Sequence, residues 1–490
     1  MNLRLLSKLM GTLLLLLGGA MFICLGVAYL LDVRHEGFDS IESFWISSVM
    51  TASTGVLLIF LGRDEKSELL RKEAIAVVGL SWLVCSAFGA LPYIFSEARL
   101  TPTEAFFEAV SGFTTTGASV FSDVESLPRS VLFWRSFTQW LGGLGILVLF
   151  VALLTYLGVG SKALFRHESS AKSGEGVQAR IRDVAARLWQ IYLGLTVICT
   201  LGLVVLGMSL FDAINHSFAA ISTGGFSTRN ASIAAFDSLA IELWIVLFML
   251  LGGISFMLYA WLLRGKWERW KKEEETKAFL FIVGASTLII ALDLWALGME
   301  ESFGRALRNS LFQVVTIITT TGFATADFDH WPHFSRLALL FLMCIGGCAG
   351  STSGGIKVSR WLLFFKIVRQ ETIVAFRPNQ VIRLSLNGNA TDDQLKAQTV
   401  FFIALAGVTV ALGTGLVSLF EPGLNIETCL SAVMASLFNI GPGLSAVGPT
   451  QNFGFLSPLS QIVLSVMMIL GRLEFFALLV LFVPTLWKRY

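Results

Sequence analysis

Four short stretches rich in threonine, serine and glycine recur along the chain, and their backbone carbonyls could bind a dehydrated cation. They read SGFTTTGAS, AAISTGGFS, IITTTGFAT and LFNIGPGLS. Aligned on Gly117, Gly224, Gly322 and Gly441, the copies are 107, 98 and 119 residues apart. Glycine permits the backbone torsions that aim successive carbonyl oxygens in one direction. Because rings of such oxygens replace the water shell of an ion in potassium filters, four copies predict a cation-binding ring around one axis.

Each stretch follows a helix that is too short to cross a bilayer. In TPTEAFFEAVSGF, Thr101 is predicted to cap the helix, Pro102 occupies its first turn and Glu104 completes a capping box. About 11 helical residues cover roughly 17 Å, about half of a bilayer. The segment therefore enters the membrane, turns and leaves on the same side. Extended backbone at that depth must be buried in protein or line a water-filled path.

The composition indicates a polytopic membrane protein. The 490 residues are 55% hydrophobic and 14% charged, and the formal net charge of +2, spread over short loops, argues against a nucleic-acid binder. Long apolar segments predict about ten spanning helices. They cover about 9–31, 43–62, 74–97, 130–158, 188–210, 239–263, 278–298, 334–368, 398–419 and 455–486.

Lysine and arginine are distributed unequally between the two sides of these segments. With the N-terminus in the cytoplasm, the cytoplasmic connections and termini hold 27 of the 36 Lys and Arg residues, and the opposite side holds seven. Two more, Arg135 and Arg472, lie within apolar segments. Because basic residues concentrate on the cytoplasmic side of membrane proteins, both termini are predicted to be cytoplasmic.

A second glycine landmark follows each stretch by 24 to 30 residues. The four copies read Gly142-Gly143, Gly252-Gly253, Gly346-Gly347 and Gly471-Arg472. Glycines inside a membrane mark places where helices approach closely. The fourth copy has an arginine there, which costs about 2.5–3.5 kcal/mol at the centre of a spanning helix. Arg472 is therefore a candidate functional residue.

The four stretches, together with GGCAGSTSGGIKVSR and LGRLEFF, resemble the Trk/Ktr/HKT superfamily of potassium transporters, in particular its TrkH/TrkG branch. The resemblance implies an all-α polytopic membrane protein with four pseudo-fourfold helix, pore loop, helix repeats around one pore, preceded by two extra helices. The implied units are an N-terminal helix pair and four repeats, at 1–72, 73–158, 159–264, 265–370 and 371–490.

The resemblance also implies partners and a location. It implies a homodimer in the bacterial inner membrane, in which each chain crosses the lipid bilayer several times. A cytoplasmic TrkA-like regulatory protein that binds NAD(H) or another nucleotide is the implied partner. Potassium is the implied transported ion, and no organic cofactor is expected in this chain.

Matched to the family's filter motif, the potassium ligands are mainly backbone carbonyls of three residues in each repeat. These are Thr115, Thr116 and Gly117; Ser222, Thr223 and Gly224; Thr320, Thr321 and Gly322; and Asn439, Ile440 and Gly441. A glycine in every repeat implies potassium, since a serine in the first repeat accompanies sodium preference in plant relatives. Asn439 and Pro442 depart from the pattern, so looser exclusion of sodium is expected.

A run of ten small residues, GGCAGSTSGG, interrupts the longest apolar segment at 346–355. Because each glycine costs a helix about 1 kcal/mol, the run is predicted to unwind, with a tight helix interface as the alternative. The family implies a movable loop beneath the filter, and the hypothesis is that this loop and Arg472 form the closed gate. The candidate gate residues are Gly346, Gly347, Gly350, Ser351, Thr352, Ser353, Gly354, Gly355 and Arg472.

Two other functions stay open on the sequence. A potassium symporter coupled to protons or sodium would favour a carboxylate in the membrane, and the few candidates are Glu474, Asp293 and Glu242. Their scarcity favours a passive, channel-like pathway, and the resemblance implies that this pathway takes up K⁺ and Rb⁺ over Na⁺. A membrane-embedded enzyme has less support, because no HExxH, Walker, GxSxG or CxxC signature occurs.

Overall fold

Helices make up most of the computed structural model, which describes residues 2–32, 39–63, 71–156, 174–380 and 382–487. The predicted repeat boundary at 158/159 and the basic residues Lys488 and Arg489 lie outside these ranges. The first ten helices are α1 (Leu3–Leu31), α2 (Asp39–Leu61), α3 (Arg71–Gly89), α4 (Leu91–Phe95), α5 (Pro102–Phe113), α6 (Arg129–Tyr156), α7 (Gly174–Val205), α8 (Leu210–Ser222), α9 (Leu239–Gly253) and α10 (Phe256–Leu262).

Ten further helices follow, with one small hairpin between them. The helices are α11 (Trp267–Lys272), α12 (Glu274–Ala296), α13 (Phe303–Ile318), α14 (His333–Met343), α15 (Val358–Phe376), α16 (Asp393–Phe420), α17 (Ile426–Leu437), α18 (Pro458–Arg472), α19 (Phe476–Leu479) and α20 (Pro484–Trp487). Strands β1 (Ser385–Leu386) and β2 (Asn389–Ala390) pair antiparallel between α15 and α16.

Six continuous stretches within the described ranges are long and apolar enough to cross a membrane. They are Leu3–Leu31, Ser40–Leu61, Glu73–Phe95, Asp183–Val205, Glu274–Ala296 and Asp393–Phe420. Counting each of two bent helix pairs as one span raises the number to eight. Of the other two predicted spans, 130–158 ends outside the described residues, and 334–368 is divided between α14 and α15.

Three of the predicted spans are interrupted, each at the second glycine landmark. Helices α9 and α10 are bent by 92° just after Gly253, and α18 and α19 are bent by 114° just after Arg472. Residues 344–357 separate α14 from α15, which confirms that the small-residue run is not helical. Glycine's poor helix propensity and backbone freedom explain why the breaks fall here.

Four short helices, α5, α8, α13 and α17, share one design. Each begins at a serine, threonine or asparagine whose side chain accepts the N–H of the third helical residue; these caps are Thr101, Ser209, Ser302 and Asn425. The capping box predicted for α5 is confirmed, because the backbone N–H of Thr101 donates to Glu104 Oε2 at 2.9 Å. The caps satisfy amides that the first helical turn leaves without partners.

The packing of these short helices forms a closed cycle. Each is followed by a second helix that packs against the short helix of the next copy: α6 on α8, α9 on α13, α14 on α17, and α18 back on α5. The two N-terminal helices pack against each other, and α1 also contacts α6. The buried apolar core therefore surrounds the C-terminal ends of the four short helices.

The landmark glycines allow this close packing. A methyl group on Gly142 would overlap the carbonyl oxygen of Phe113 at the end of α5, and one on Gly471 would overlap that of Leu437 at the end of α17. A methyl group on Gly252 would come within 3.2 Å of the Ile221 carbonyl oxygen in α8. In these three copies the first landmark position is thus where the second helix contacts the end of the short helix of its own copy, whereas Gly346 in the third copy meets Gly354 of the loop.

We expect Gly142→Ala to destabilise the protein, because the added methyl group meets rigid backbone. Overpacking of this kind costs about 1–3 kcal/mol. The matched control is Gly145→Ala on the same helix, where the nearest neighbouring atom is a Trp82 ring carbon at 4.0 Å. Thermal melting of the purified protein in detergent should show a lower midpoint for Gly142→Ala only. Equal midpoints would show that the backbone relaxes without cost.

Candidate cation filter and gate

All four short helices end in the same left-handed turn. The residue at this turn has a positive φ of 53° at Thr115, 54° at Thr223, 57° at Thr320 and 56° at Asn439. In the first copy Thr115 donates its N–H to Gly112 at 3.0 Å, Thr116 donates to Ser111 at 2.9 Å, and the other copies repeat this pattern. These are the two hydrogen bonds of a Schellman motif, in which glycine usually occupies the left-handed position. A β-branched residue there is strained and must be held by its surroundings.

A glycine with positive φ follows two residues after each turn. These glycines are Gly117 (85°), Gly225 (77°), Gly322 (85°) and Gly441 (99°). The sequence alignment on Gly224 is therefore wrong by one residue. In the second copy the unit is Thr223, Gly224 and Gly225, and Ser222 is the last residue of α8. Two adjacent glycines look alike in sequence, and only the backbone torsions separate them.

The four glycines and the carbonyls beside them form a closed ring. A methyl group added to any of these glycines would meet the backbone carbonyl oxygen of the residue before the next copy's glycine. In order around the ring, the pairs are Gly117 with Gly224, Gly225 with Thr321, Gly322 with Ile440, and Gly441 with Thr116. The structure thus brings the predicted filter stretches of all four copies together.

Gln139 supports this ring, and the sequence analysis missed it. Its side chain is fully buried, its Nε2 donates to the carbonyl of Gly224 at 2.5 Å, and its Oε1 accepts the N–H of Phe226 at 3.1 Å. In the fourth copy, Asn439 Nδ2 donates to Thr116 Oγ1 at 2.9 Å. An isolated glutamine in the apolar run WRSFTQWLGG is a signal that could have identified Gln139.

A buried ion pair holds the chain where it leaves the ring in the first two copies. Arg135 Nε lies 2.8 Å from Glu108 Oε1, and both side chains are almost completely buried. The same guanidinium donates to the carbonyl of Ser227 at 3.2 Å and lies 4.1 Å from the centre of the Phe226 ring. Arg135 therefore has a paired structural role, unlike Arg472.

The loop at 344–357 contacts the left-handed turns of three copies. The N–H of Gly354 donates to Thr320 Oγ1 at 2.7 Å, and the hydroxyls of Thr352 and Thr223 are 3.4 Å apart. A methyl group on Gly354 would lie 2.9 Å from Cβ of Asn439. The candidate gate loop is therefore seated directly against the candidate filter.

Two cations bind consecutive carbonyls of this loop. Arg472 Nη1 donates to the carbonyl of Thr352 at 2.7 Å, and Lys357 Nζ donates to the carbonyl of Ser353. Arg472 is 3% exposed, and none of the described carboxylates lies within ion-pair distance of it. The guanidinium charge is thus balanced by a backbone dipole, which leaves it available to repel a nearby cation. The sequence analysis named Arg472 but missed Lys357.

A carboxylate anchors the loop from its other side. Glu275, in the first turn of α12, is buried, and its Oε1 accepts the N–H of Ala349 at 2.7 Å and that of Ser359 at 2.9 Å. Ser359 lies in the first turn of α15, where unpaired amides and the helix dipole favour a negative charge. One carboxylate therefore joins the loop to the start of the next helix.

The three carboxylates considered for ion coupling each have a structural partner. Glu242 accepts two 2.7 Å hydrogen bonds from Arg308, and Asp293 accepts one of 2.6 Å from Ser335. Glu474 pairs with Arg360. The described part of the chain holds no group of three or more His, Cys, Asp or Glu placed to bind a metal ion.

A multi-helix membrane protein with a central ring of backbone carbonyls belongs to the class of ion-transport proteins, and comparison with known proteins agrees. The TrkH family, described as a cation transport protein, matches residues 40–489. The chain belongs to this family.

Individual relatives match over nearly the whole chain. The Trk system potassium uptake protein TrkH of Escherichia coli K12 is 39% identical over 493 residues, which covers 100% of both chains. The TrkG protein of the same strain is 32% identical over 92% of both. The crystal structure of the potassium transporter TrkH from Vibrio parahaemolyticus has a TM-score of 0.89 and 36% identity, again over 100% of both chains.

The corrected alignment, with Gly225 rather than Gly224 in the ring, leads to a prediction about cation uptake. We expect Gly225→Ala to reduce uptake by about tenfold or more, because a methyl group on this positive-φ residue overlaps the Thr321 carbonyl. Gly224→Ala should be milder, because its φ is not positive and its methyl group meets the Gln139 side chain rather than backbone. Tracer uptake by cells producing equal amounts of each variant measures the difference. An equal loss of uptake in the two variants would contradict the assignment of Gly225 to the ring.

Proposed function

We propose that the protein is a selective pore for potassium uptake across the bacterial inner membrane, with four helix, pore loop, helix repeats preceded by α1 and α2. The observation that carries this proposal is the closed ring of four glycine–carbonyl contacts. Such a ring lets no side chain intervene between neighbouring copies, so the backbone itself lines the narrowest part of the path. The repeat boundaries are those expected from the sequence, at 73–158, 159–264, 265–370 and 371–490.

Potassium is the proposed ion because the relatives that match this chain over its full length are named potassium uptake proteins and potassium transporters. Selection of K⁺ and Rb⁺ over Na⁺ would come from the carbonyls of the filter units, now with Thr223, Gly224 and Gly225 in the second repeat. The C-terminal ends of α5, α8, α13 and α17 meet at the ring, and their dipoles favour a cation there. The proline after Gly441 and the asparagine in the fourth copy make that quarter of the filter different.

The loop and Arg472 would form the closed gate on the helix C-terminal side of the filter. The support is their mutual hydrogen bond through Thr352 and the loop's contacts with three filter turns. A guanidinium about 8 Å from a permeating cation costs roughly 2 kcal/mol at an effective dielectric constant near 20, a barrier of about thirtyfold. That penalty slows flux, and withdrawal of the loop would then be needed to open the path fully.

Passive uptake is favoured over coupling to protons or sodium. Each of the three coupling candidates is engaged by a neighbouring side chain, and Glu242 is bonded at both oxygens. A carboxylate that carries a transported proton must exchange partners during the cycle, whereas a bidentate arginine pair is typical of a fixed structural contact. The transport is therefore proposed to follow the potassium gradient.

The proposed assembly is a homodimer with both termini in the cytoplasm, regulated by a TrkA-like protein that binds NAD(H) or another nucleotide. The excess of lysine and arginine in the connections assigned to the cytoplasm supports the orientation. The relatives are named as parts of a Trk system, which supports a multi-component assembly. The regulatory protein would act on the loop from the cytoplasmic side.

Flux into liposomes containing the purified protein tests this function. We expect uptake of rubidium and potassium down their own gradients, slower uptake of sodium, and no dependence on an imposed proton gradient. Liposomes containing the Gly225→Ala variant provide the control for leakage. Uptake that requires a proton or sodium gradient would replace the pore with a symporter.

A second prediction concerns the proposed gate and is tested by the same liposome measurement. Arg472→Ala should raise rubidium flux, by about thirtyfold at most, because the positive charge beside the path is removed. Arg472→Lys, which keeps the charge, should stay close to the native rate. Unchanged flux in Arg472→Ala would remove this residue from the gate.

A further inference from the structure

The segment that carries Arg472 is strained where α18 ends. The chain is bent by 114° between α18 and α19, and two consecutive non-glycine residues in this bend have positive φ, 50° at Glu474 and 66° at Phe475. A non-glycine residue in such a conformation is strained, and it persists only where its surroundings hold it. The contacts of Glu474 and Phe475 therefore determine where Arg472 is held.

One side chain, that of Arg360, organises these contacts. Its Nη2 forms the ion pair with Glu474 Oε2, and its guanidinium lies 4.0 Å from the centre of the Phe402 ring. Phe475 is 3% exposed and packs edge-on against the same Phe402 ring, with centroids 5.3 Å apart. Arg360 thus bonds one strained residue and covers the ring against which the other packs.

Arg360 also belongs to the structure that continues from the gate loop. It lies in the first turn of α15, five residues after the last glycine of the loop, Gly355. The contacts form a closed circuit: the loop leads into α15, Arg360 binds Glu474 in the bend, and Arg472 at the start of the bend binds Thr352 in the loop. The two halves of the proposed gate are therefore joined at two points.

We propose that the Arg360–Glu474 ion pair couples the loop to Arg472, so that the two withdraw from the path together. This inference rests on the proposed gate and assigns positioning roles to two residues that do not themselves touch the filter. Without the pair, the strained bend loses its charged partner, and of the two contacts that join the halves of the gate only the hydrogen bond from Arg472 to Thr352 remains. The closed arrangement then becomes less favourable relative to the open one.

A second ion pair on the same helix provides a matched control. Lys366 Nζ lies 2.5 Å from Glu274 Oε2, and the side chains are 31% and 40% exposed, against 25% and 37% for Arg360 and Glu474. This control pair joins α15 to α12 and does not reach the bend. Loss of either pair removes one positive and one negative charge, so net charge near the path stays the same.

The experiment compares three variants of the full chain in liposomes. They are the neutral double variant Arg360→Gln with Glu474→Gln, the conservative variant Arg360→Lys, and the control double variant Lys366→Gln with Glu274→Gln. We expect rubidium flux to rise about twofold to fivefold in the neutral double variant, the range for losing a partly exposed ion pair. Arg360→Lys and the control double variant should match the native rate.

A second readout reports the loop without measuring flux. Cys348 lies in the loop and is fully buried. In a chain whose other five cysteines are replaced by serine, its rate of modification by a membrane-impermeant thiol reagent should rise with loop withdrawal. The rate should increase by the same factor as flux in the neutral double variant. Poor folding would give a different result, with lower flux and faster modification of Cys348. That result in the neutral double variant would overturn the proposal.

The outcomes distinguish a failure of this inference from a failure of the proposed function on which it rests. If Arg472→Ala raises flux while the neutral double variant changes neither flux nor Cys348 modification, the coupling role is wrong and the gate stands. If the control double variant opens the loop equally, the effect is not specific to the bend and the proposal fails. If the native protein shows no selective potassium flux, the proposed function itself fails.

Discussion

The fold depends on how backbone polar groups are satisfied where four short helices end inside the protein. A helix that ends away from water leaves its last carbonyls without partners, and each copy satisfies some of them with the two hydrogen bonds of a Schellman turn. The chain then continues as extended backbone, which is stable at membrane depth only when protein or a water-filled path surrounds it. Protein encloses this backbone because the helix that follows each short helix packs on the short helix of the next copy. Glycine recurs because a neighbouring carbonyl occupies the place of its side chain.

Departures from this repetition identify where regulation would act. Three of the four second landmarks interrupt a helix, whereas α6 runs through Gly142 and Gly143. The third landmark opens into a loop that reaches the turns of three copies, and the fourth has Arg472 where the others have glycine. The loop is held by Glu275, Lys357 and, through α15, the Arg360–Glu474 pair, and these residues belong to the third and fourth copies only. If the loop is the gate proposed above, one change in its conformation would alter contacts with the turns of three copies at once.

Much of the site could be predicted because its signals are local. The threonine–glycine stretches, the capping box before the first of them and the unwinding of 346–355 all follow from residue types at fixed spacing. Of the residues that the sequence analysis missed, Gln139 and Arg360 bind partners 85 and 114 residues further along the chain. Lys357 binds a carbonyl only four residues away, but within an irregular loop whose conformation no helical or strand periodicity predicts. Hydropathy did not reveal that segments 239–263 and 455–486 are bent by 92° and 114°, or that segment 334–368 is interrupted between two helices, because apolarity carries no information on the path of the backbone. The one-residue error at Gly224 arose where two adjacent glycines gave the alignment no preference.

The sequence by itself determined the class of protein, the number of copies of the filter stretch and the residue that breaks their equivalence. These depend on composition and on periodic spacing, which persist in any arrangement of the chain. Only the tertiary structure decided which glycine belongs to the ring, which carbonyls face it and which cations hold the loop. Those features arise from contacts between copies about 100 residues apart, and such contacts are set by the packing of helices around a common axis rather than by local propensity.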